Sequence, residues 1–215
     1  MSEENTVCEE KCTEEVLNEG EVSASLFFAS DAERQPLSRG IGIFSDIDEE
    51  VASDVIQTLL VLNKEDKKDL ELNEEQEIDP INLYISTWGG VALDAFGIYD
   101  VMRSVKDTCE IHTIGIGKVM SAGVILLAAG TKGKRKIGAN CRVMLHSVTG
   151  ASHGPIHNLE NEMEEVRWTQ KQFIKCLVRE SSLTEKQLKR LLSKKLDIYL
   201  TAEEAVAYGI ADEIF

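Results

Sequence analysis

The chain has 215 residues, of which 43% are hydrophobic, and it carries a formal net charge of −15. This length and apolar content are enough for one sizeable domain with a packed core. The acidic balance argues against nucleic acid or an anionic membrane as a partner, because both require basic patches on the protein. The longest apolar stretch, Ala122 to Ala129, is far too short to cross a bilayer.

The beginning of the chain is the most acidic part, with eight glutamates and one lysine in residues 1–21. Such a segment buries too little apolar surface to offset the entropy lost on ordering. We therefore expect residues 1–25 to form a disordered tail and residues 26–215 to form the folded domain. The segment also lacks the apolar core of a signal peptide, which predicts a cytoplasmic protein.

The five cysteines show no spacing typical of a disulfide framework or a metal site. Cys8 and Cys12 have no neighbouring His or Cys that would complete a four-ligand zinc shell. We expect free thiols in a reducing compartment, and neither a metal nor another cofactor.

Apolar periodicity and turn residues then predict the elements in chain order. Strands are predicted at 41–44, 81–85, 111–116, 135–137 and 142–145, and helices from Asp46 onward and at 91–105, 120–129, 155–180, 185–193 and 202–208. The charged segment 63–80 is predicted to be a solvated loop or an exposed helix end. Repeated strand–helix and strand–strand–helix units on one core indicate an α/β fold.

Ser121 stands at a predicted strand-to-helix junction and is followed by the small residues Ala122 and Gly123. A serine at this place lies beside the free N–H groups of a helix start, which favour developing negative charge. The small residues would let a substrate carbonyl approach the backbone closely. An ordinary serine N-cap explains the same pattern, so both interpretations stay open on these residues alone.

Three other features carry similar weak signals. The turn Thr87-Trp88-Gly89-Gly90 follows a predicted strand, and its glycines permit a backbone that exposes its N–H groups. His146 ends another strand, and Asp197 stands just before an apolar segment. An imidazole oriented by a carboxylate accepts a proton near neutral pH, although a structural histidine and an exposed loop acid fit equally well.

Taken together and in order, these segments resemble the proteolytic subunits of ATP-dependent Clp proteases (ClpP), a family of serine peptidases. The resemblance lies in Leu83-Tyr84-Ile85, Gly89-Gly90, Ile98-Tyr99-Asp100, Ser121-Ala122-Gly123, 126–130, Gly133-Lys134-Arg135, 142–146 and 200–209. It covers about three quarters of the chain and is weaker from Ile41 to Leu62.

The resemblance implies a role for each matching residue. The nucleophile of the family falls on Ser121, its general base on His146 and its orienting acid on Asp197. The two backbone N–H groups of the oxyanion hole fall on Gly90 and Ala122. These assignments imply a serine endopeptidase.

The resemblance also implies a crotonase-like fold of stacked strand–strand–helix units with a protruding handle helix, at about residues 147–182. Seven copies would form a ring, and two rings would meet through the handles around a closed chamber that admits unfolded polypeptides. The loop that would pair with substrate contains Gly150, Ala151, Ser152 and Gly154. A Clp ATPase is an expected partner.

Several positions depart from the pattern of the family. Trp88 replaces a proline, Ser147-Val148 replaces Gln-Pro after the histidine, and Lys195-Leu196 replaces an acidic–basic pair that helps rings engage. Asn82 and Ser104 are polar where the family docks its ATPase through apolar side chains.

Three alternatives stay open beside the peptidase, and these departures favour the first of them. One is a non-catalytic or weakly active ring subunit that modulates a Clp complex. The second is a Clp-related viral maturation peptidase, and the third is an acyl-CoA enzyme of the crotonase superfold, which also uses two backbone N–H groups as an oxyanion hole.

Overall fold

A computed structural model describes residues 38–193 and 197–215. The strands in these ranges are β1 Gly40–Ile43, β2 Ile81–Thr87, β3 Ile111–Met120, β4 Arg135–Ile137, β5 Arg142–Leu145, β6 Ile198–Leu200 and β7 Glu213–Ile214. The helices are α1 Glu49–Leu72, α2 Ala92–Val105, α3 Ala122–Ala128, α4 Ile156–Glu180, α5 Glu185–Leu192 and α6 Ala202–Ala207. The predicted α/β architecture is confirmed, whereas the predicted tail at 1–25 and the pair Lys195-Leu196 lie outside the described residues.

The strands form one mostly parallel sheet in the order β1-β2-β3-β4-β7. On β2, alternate residues face the core, and Ile81, Leu83 and Ile85 are fully buried. Every side chain of α3 is buried as well, because this helix lies inside the core cluster rather than on the surface. The apolar face of the sheet and α3 therefore form the base on which the site is built.

Strand β3 continues further than its sequence predicts. We expected it to end at residue 116, where glycines interrupt the apolar run, but it reaches Met120. Between the pairs Ile85↔Gly115 and Thr87↔Val119, β3 advances four residues while β2 advances two. The positive φ of Gly117, +64°, lies within this bulge, so the glycine bends the strand instead of ending it.

The bulge divides β3 between two partners. Residues 113–115 pair with β4, and residues 118–120 pair with β5. Strand β5 in turn pairs antiparallel with β6. The sheet thus forks at β3, and the branch formed by β5 and β6 lies next to the end of β3 that leads into α3.

Helix α1 is longer than expected and less solvated. It extends to Leu72, so the helix-end interpretation of segment 63–80 holds for its first half. Asn63 and Asp66 are buried, however, which the prediction of solvation missed. Arg39 donates two hydrogen bonds to the Asp66 carboxylate, at 2.8 and 3.0 Å, and this pairing neutralises the buried charge.

Helix α4 matches the predicted helix at 155–180 almost to the residue. Its buried residues are Phe173, Ile174, Leu177 and Glu180, all in its C-terminal third. In the described part of the chain, no helix is both long and apolar enough to cross a membrane. Stacked crotonase-like units and a protruding handle stay predictions.

Candidate active site

Ser121 joins the end of β3 to the start of α3 in an unusual backbone conformation. Its φ is +52° and its ψ is −121°, the only positive φ of a non-glycine residue in the described ranges. Such a conformation costs on the order of 1–3 kcal/mol and persists only where surrounding structure enforces it. Here the Ser121 N–H donates to the Met144 carbonyl at 2.8 Å. The side chain makes no N-cap hydrogen bond, so the ordinary N-cap interpretation is wrong.

The Ser121 hydroxyl instead contacts His146. The distance from His146 Nε2 to Ser121 Oγ is 2.7 Å, within hydrogen-bonding range. The pairing of Met120 with Met144 brings the ends of β3 and β5 together, and the two side chains follow these strand ends. An imidazole at this distance is placed to take a proton from the hydroxyl.

Asp197 lies directly before β6, the strand that pairs with β5. Strands β5 and β6 pair Val143 with Leu200 and Leu145 with Ile198. One further step in this antiparallel register sets Asp197 opposite His146, where side chains lie within reach of each other. Asp197 is exposed, and in the described ranges no hydrogen bond joins its carboxylate to His146. Its role as the orienting acid stays a prediction.

The glycine pair after β2 packs against Ser121. Gly89 has φ +106° and Gly90 has φ +148°, a region that strongly favours glycine. A Cβ at Gly89 would lie 2.6 Å from Ser121 Cβ, so the turn and the hydroxyl-bearing residue are in van der Waals contact. A Cβ at Gly90 would lie 2.1 Å from the Ile47 carbonyl oxygen. Any side chain at either position would push the turn away from its partners.

Ile47 holds this turn by two backbone hydrogen bonds. Its N–H donates to the Gly89 carbonyl at 2.7 Å, and its carbonyl accepts from Val91 N–H at 2.8 Å. Sequence reasoning missed Ile47, which stood at the predicted start of a helix. Its only sequence signal is an apolar residue between two aspartates, which is too common to indicate a clamp.

Two backbone N–H groups beside Ser121 have no hydrogen-bond partner within residues 38–193 and 197–215. Among the described residues, no hydrogen bond engages the N–H of Gly90 or of Ala122. Both residues line the cavity that contains Ser121 and His146. Two free donors next to a hydroxyl are the arrangement that stabilises the oxyanion of an acyl-transfer intermediate.

The cavity has a volume of about 710 Å³ and an apolar wall with an acidic rim. The remaining lining residues are Asp46, Ile47, Asp48, Trp88, Val91, Ala92, Leu93, Met144, Val148, Thr149, Val166, Thr169 and Phe173. Trp88 is 61% exposed, and Lys118 Nζ lies 5.4 Å from the centroid of its ring. A large aromatic side chain therefore stands at the mouth of the cavity, on the turn that carries Gly90.

The predicted substrate loop lies at the edge of this cavity. Gly150, Ala151, Ser152 and Gly154 are exposed and form no regular secondary structure. The residues just before them, Val148 and Thr149, line the cavity. The proximity agrees with a substrate loop, but pairing with a substrate strand stays a prediction.

The far end of α3 is held by three side chains. Thr113 Oγ1 donates to the Leu127 carbonyl at 2.8 Å, Arg135 Nη1 to the Ala128 carbonyl at 3.1 Å and Lys106 Nζ to the Ala129 carbonyl at 2.6 Å. Cations at a helix C-terminus also interact favourably with the helix dipole. Burial lowers the pKa of Lys106, so this charge is held at an energetic cost.

Arg135 ties this end of α3 to two further elements. It donates to the Glu180 carbonyl at 2.6 Å and forms a bidentate pair with the Asp212 carboxylate. Arg135 is 3% exposed and Glu180 is 5% exposed, so the charges are almost completely desolvated. Tyr99 donates to Glu180 Oε1 at 2.9 Å and completes a buried polar network below α3.

Comparisons with known proteins show which family the chain is similar to. A family model described as Clp protease matches residues 30–215. A protein of Corynebacterium jeikeium (strain K411), named ATP-dependent Clp protease proteolytic subunit 2, is 33% identical over 181 residues, covering 82% of this chain and 78% of the relative. A protein of the same name from Thermobifida fusca (strain YX) is 29% identical over 183 residues, covering 85% and 83%.

Proposed function

The chain belongs to the Clp protease family, and from that premise we propose that it is a serine endopeptidase of the Clp type. Ser121 is the nucleophile, His146 the general base and Asp197 the acid that orients the imidazole. The N–H groups of Gly90 and Ala122 form the oxyanion hole. The observation that carries this proposal is the 2.7 Å contact between His146 Nε2 and Ser121 Oγ at a strained strand-to-helix junction.

In the proposed reaction, Ser121 Oγ attacks the scissile carbonyl while His146 Nε2 takes its proton. The free hydroxyl is a weak nucleophile, and the adjacent base removes this limitation. The oxyanion of the tetrahedral intermediate accepts hydrogen bonds from Gly90 and Ala122, each worth about 3 kcal/mol or more. The imidazolium then protonates the leaving amine, and a water molecule releases the acyl group by the same route.

Asp197 completes the proposed triad from the paired strand. A carboxylate opposite the imidazole accepts a hydrogen bond from Nδ1–H, which leaves Nε2 free to accept the serine proton. The register of β5 and β6 supports this assignment, because it brings the two residues to the same level.

The proposed substrates are unfolded polypeptides. An extended peptide would lie between the turn at Gly90 and the loop 150–154, and would add a strand to the backbone there. The cavity beside Ser121 is open to solvent and has apolar walls, which suits side chains of an extended chain.

The proposed assembly is a homo-oligomer of seven-subunit rings, stacked in pairs, with crotonase-like units in each subunit. The proposed handle spans about residues 147–182 and contains helix α4. Its exposed first part carries Ile156, Met163 and Trp168, with 74%, 51% and 48% of their surface accessible. Large apolar side chains on an exposed helix favour burial against another subunit. A Clp ATPase in the cytoplasm is the proposed partner. Tyr84 supports this proposal, because it matches the family pattern and its side chain is exposed.

The test is labelling with a fluorophosphonate probe together with cleavage of casein and a short peptide. We expect the wild type to be labelled at Ser121, and Ser121→Ala to lose both labelling and cleavage, by several orders of magnitude in kcat. Ser104→Ala, a substitution on the exposed side of α2, is the control and retains both. Equal labelling of wild type and Ser121→Ala would reject Ser121 as the nucleophile.

A non-catalytic ring subunit is the second candidate. It is favoured by the exposed Asp197, whose carboxylate makes no hydrogen bond with His146 in the described ranges. Native mass measurement on the labelled protein separates the two functions. Rings that assemble but do not react with the probe would support the non-catalytic subunit.

A further inference from the structure

The hydroxyl of Thr87 lies inside the turn that follows β2. Thr87 is 1% exposed, and its Oγ1 accepts a hydrogen bond from the Gly89 N–H at 3.0 Å and donates one to the Gly89 carbonyl at 3.2 Å. The Ile47 N–H donates to the same carbonyl at 2.7 Å. The Gly89 carbonyl oxygen is therefore held by a side-chain donor from β2 and by a backbone donor from the segment before α1.

The direction of the Gly89 carbonyl determines the direction of the Gly90 N–H. Both groups belong to the peptide unit that joins these two residues. Such a unit is planar and trans, so its N–H points away from its C=O along a fixed direction. The two hydrogen bonds that hold the Gly89 oxygen therefore also aim the Gly90 N–H, one of the two donors of the proposed oxyanion hole.

The backbone of the turn does not hold this direction by itself. Gly89 and Gly90 have no Cβ, so steric exclusion restricts their φ and ψ less than those of other residues. Without the Thr87 hydroxyl, the Gly89 N–H would be a buried donor that has lost its acceptor, which costs free energy. The turn would relax toward another acceptor, and the Gly90 N–H would rotate with it.

The same side chain also contacts the segment that carries the second proposed donor. A Cβ at Gly123 would lie 2.5 Å from Thr87 Cγ2, so the threonine methyl fills the space beside this glycine. Gly123 directly follows Ala122, whose N–H is that second donor. Thr87 thus touches both the turn at Gly90 and the first turn of α3, although it does not line the cavity itself.

We propose that Thr87 is a positioning residue, whose hydroxyl aims the Gly90 N–H at the oxyanion. Its effect on catalysis rests on the proposed peptidase function, whereas its hydrogen bonds within the turn do not. Because Thr87 is buried outside the cavity lining, it acts through the backbone of Gly89 and Gly90 rather than by touching substrate.

The first test compares Thr87→Val with Thr87→Ser and Thr131→Val. Valine keeps the branched shape beside Gly123 but has no hydroxyl, whereas serine keeps the hydroxyl and lacks the methyl group. Thr131 is the matched control, because its Oγ1 also accepts from a backbone N–H, that of Ile111 at 2.9 Å, and it does not line the cavity.

For peptide cleavage by the full-length, assembled protein, we expect Thr87→Val to lower kcat about tenfold with KM unchanged. Thr87→Ser and Thr131→Val should retain the kcat of the wild type, all measured below the unfolding temperature of each variant. A Thr87→Val enzyme with the kcat of the wild type would overturn the proposal. An equal loss in Thr87→Ser would overturn it too, because packing rather than the hydroxyl would then be responsible.

A peptide boronic acid separates aiming of the donor from general stability. It forms a tetrahedral adduct with a serine hydroxyl, and one oxygen on boron takes the place of the oxyanion. We expect Thr87→Val to weaken inhibition by about the same tenfold as kcat, because both depend on the Gly90 donor. In a Gly90→Ala background, Thr87→Val should cause no further loss of kcat. Unchanged inhibition, or a full tenfold loss in that background, contradicts the proposal.

Amide hydrogen exchange, read by mass spectrometry, tests the turn without activity. We expect Thr87→Val, but not Thr131→Val, to accelerate exchange in the segment 88–91, because the Gly89 amide loses its acceptor. If Ser121 of the wild type does not react with the fluorophosphonate probe, the proposed function fails, while this measurement still decides whether Thr87 holds the turn. Unchanged exchange in this segment would overturn the inference even in an active enzyme.

Discussion

Helix α3 begins with a backbone N–H at Ala122 that has no partner in the described ranges, whereas its last carbonyls, 127–129, all accept side-chain hydrogen bonds. Free donors and the strained Ser121 raise the energy of the first end. The buried hydrogen bonds at the other end lower it. A short helix can therefore present reactive groups to a substrate at one end when side-chain hydrogen bonds hold its other end to the core.

The largest expected effect on stability comes from removing the buried side-chain hydrogen bonds at the C-terminal end of α3. Arg135→Met would leave Asp212 and two carbonyls without their buried partner, and we expect the free energy of unfolding to fall by about 3–5 kcal/mol. Thermal and urea unfolding measure this change. Lys136→Met is the control, because its pair with Glu213 is exposed and worth about 0.5 kcal/mol or less. Similar losses in the two variants would contradict the importance of the buried network.

The next largest effect is on kcat, and it comes from the turn at Gly90 beside the N-terminal end of α3. Gly90→Ala places a Cβ against the Ile47 carbonyl, so the turn must move and carry its N–H away from the oxyanion. We expect kcat to fall by about 10²–10³, the typical cost of one oxyanion-hole donor. The control is Gly133→Ala, where φ is +82° but nothing lies within 4 Å of the added Cβ. It should lose about 1–2 kcal/mol of stability through backbone strain, with no change in kcat.

A loss of kcat in Gly133→Ala as large as in Gly90→Ala would show that strain, rather than a displaced donor, is responsible. Peptide cleavage below the unfolding temperature of both variants separates the two explanations.

The smallest effect is the pH dependence of the anchored end. Burial opposes ionisation of Asp212, but hydrogen bonds from Arg135 outweigh it and lower the pKa of the carboxyl. A folded-state pKa below the unfolded one adds stability above the ordinary aspartate value of about 3.9, and this stability is lost as the pH falls through the folded-state pKa. One proton gives a slope of at most about 1.4 kcal/mol per pH unit.

Asp212→Asn should therefore be less stable than the wild type at neutral pH and should lose less stability on acidification below about pH 4. Urea unfolding at a series of pH values, at equal protein concentration, measures the difference. Parallel stability curves for the two proteins would show that Asp212 is not the titrating group.

Local pattern was sufficient for the α/β architecture but not for pairings that depend on distant residues. Strands β4 and β5 were predicted at their observed bounds, because each is a short segment between turn residues. Strand β6 was not predicted. Its three residues Ile198–Leu200 become a strand only because β5 lies beside them. The burial of Asp66 depends on Arg39, 27 positions earlier, which no local pattern reveals.

For the site, resemblance identified residues that the local sequence left ambiguous. Ser121 and His146 are in contact, yet each had an ordinary structural interpretation alone. The clamp by Ile47 was not foreseen, because it acts through the backbone groups of another element. Backbone partners carry no residue-type signature and become visible only in three dimensions.

The bulge in β3 makes the location of the nucleophile depend on the length of one strand. Four residues of β3 span the distance that two residues of β2 cover, and this surplus redirects the strand from β4 to β5. Removing two of the three residues 116–118 would cancel this surplus without removing Ser121, His146 or the glycine pair. Ser121 would then end beside the wrong neighbour, so the site depends on the spacing along the chain as well as on the identity of its polar residues.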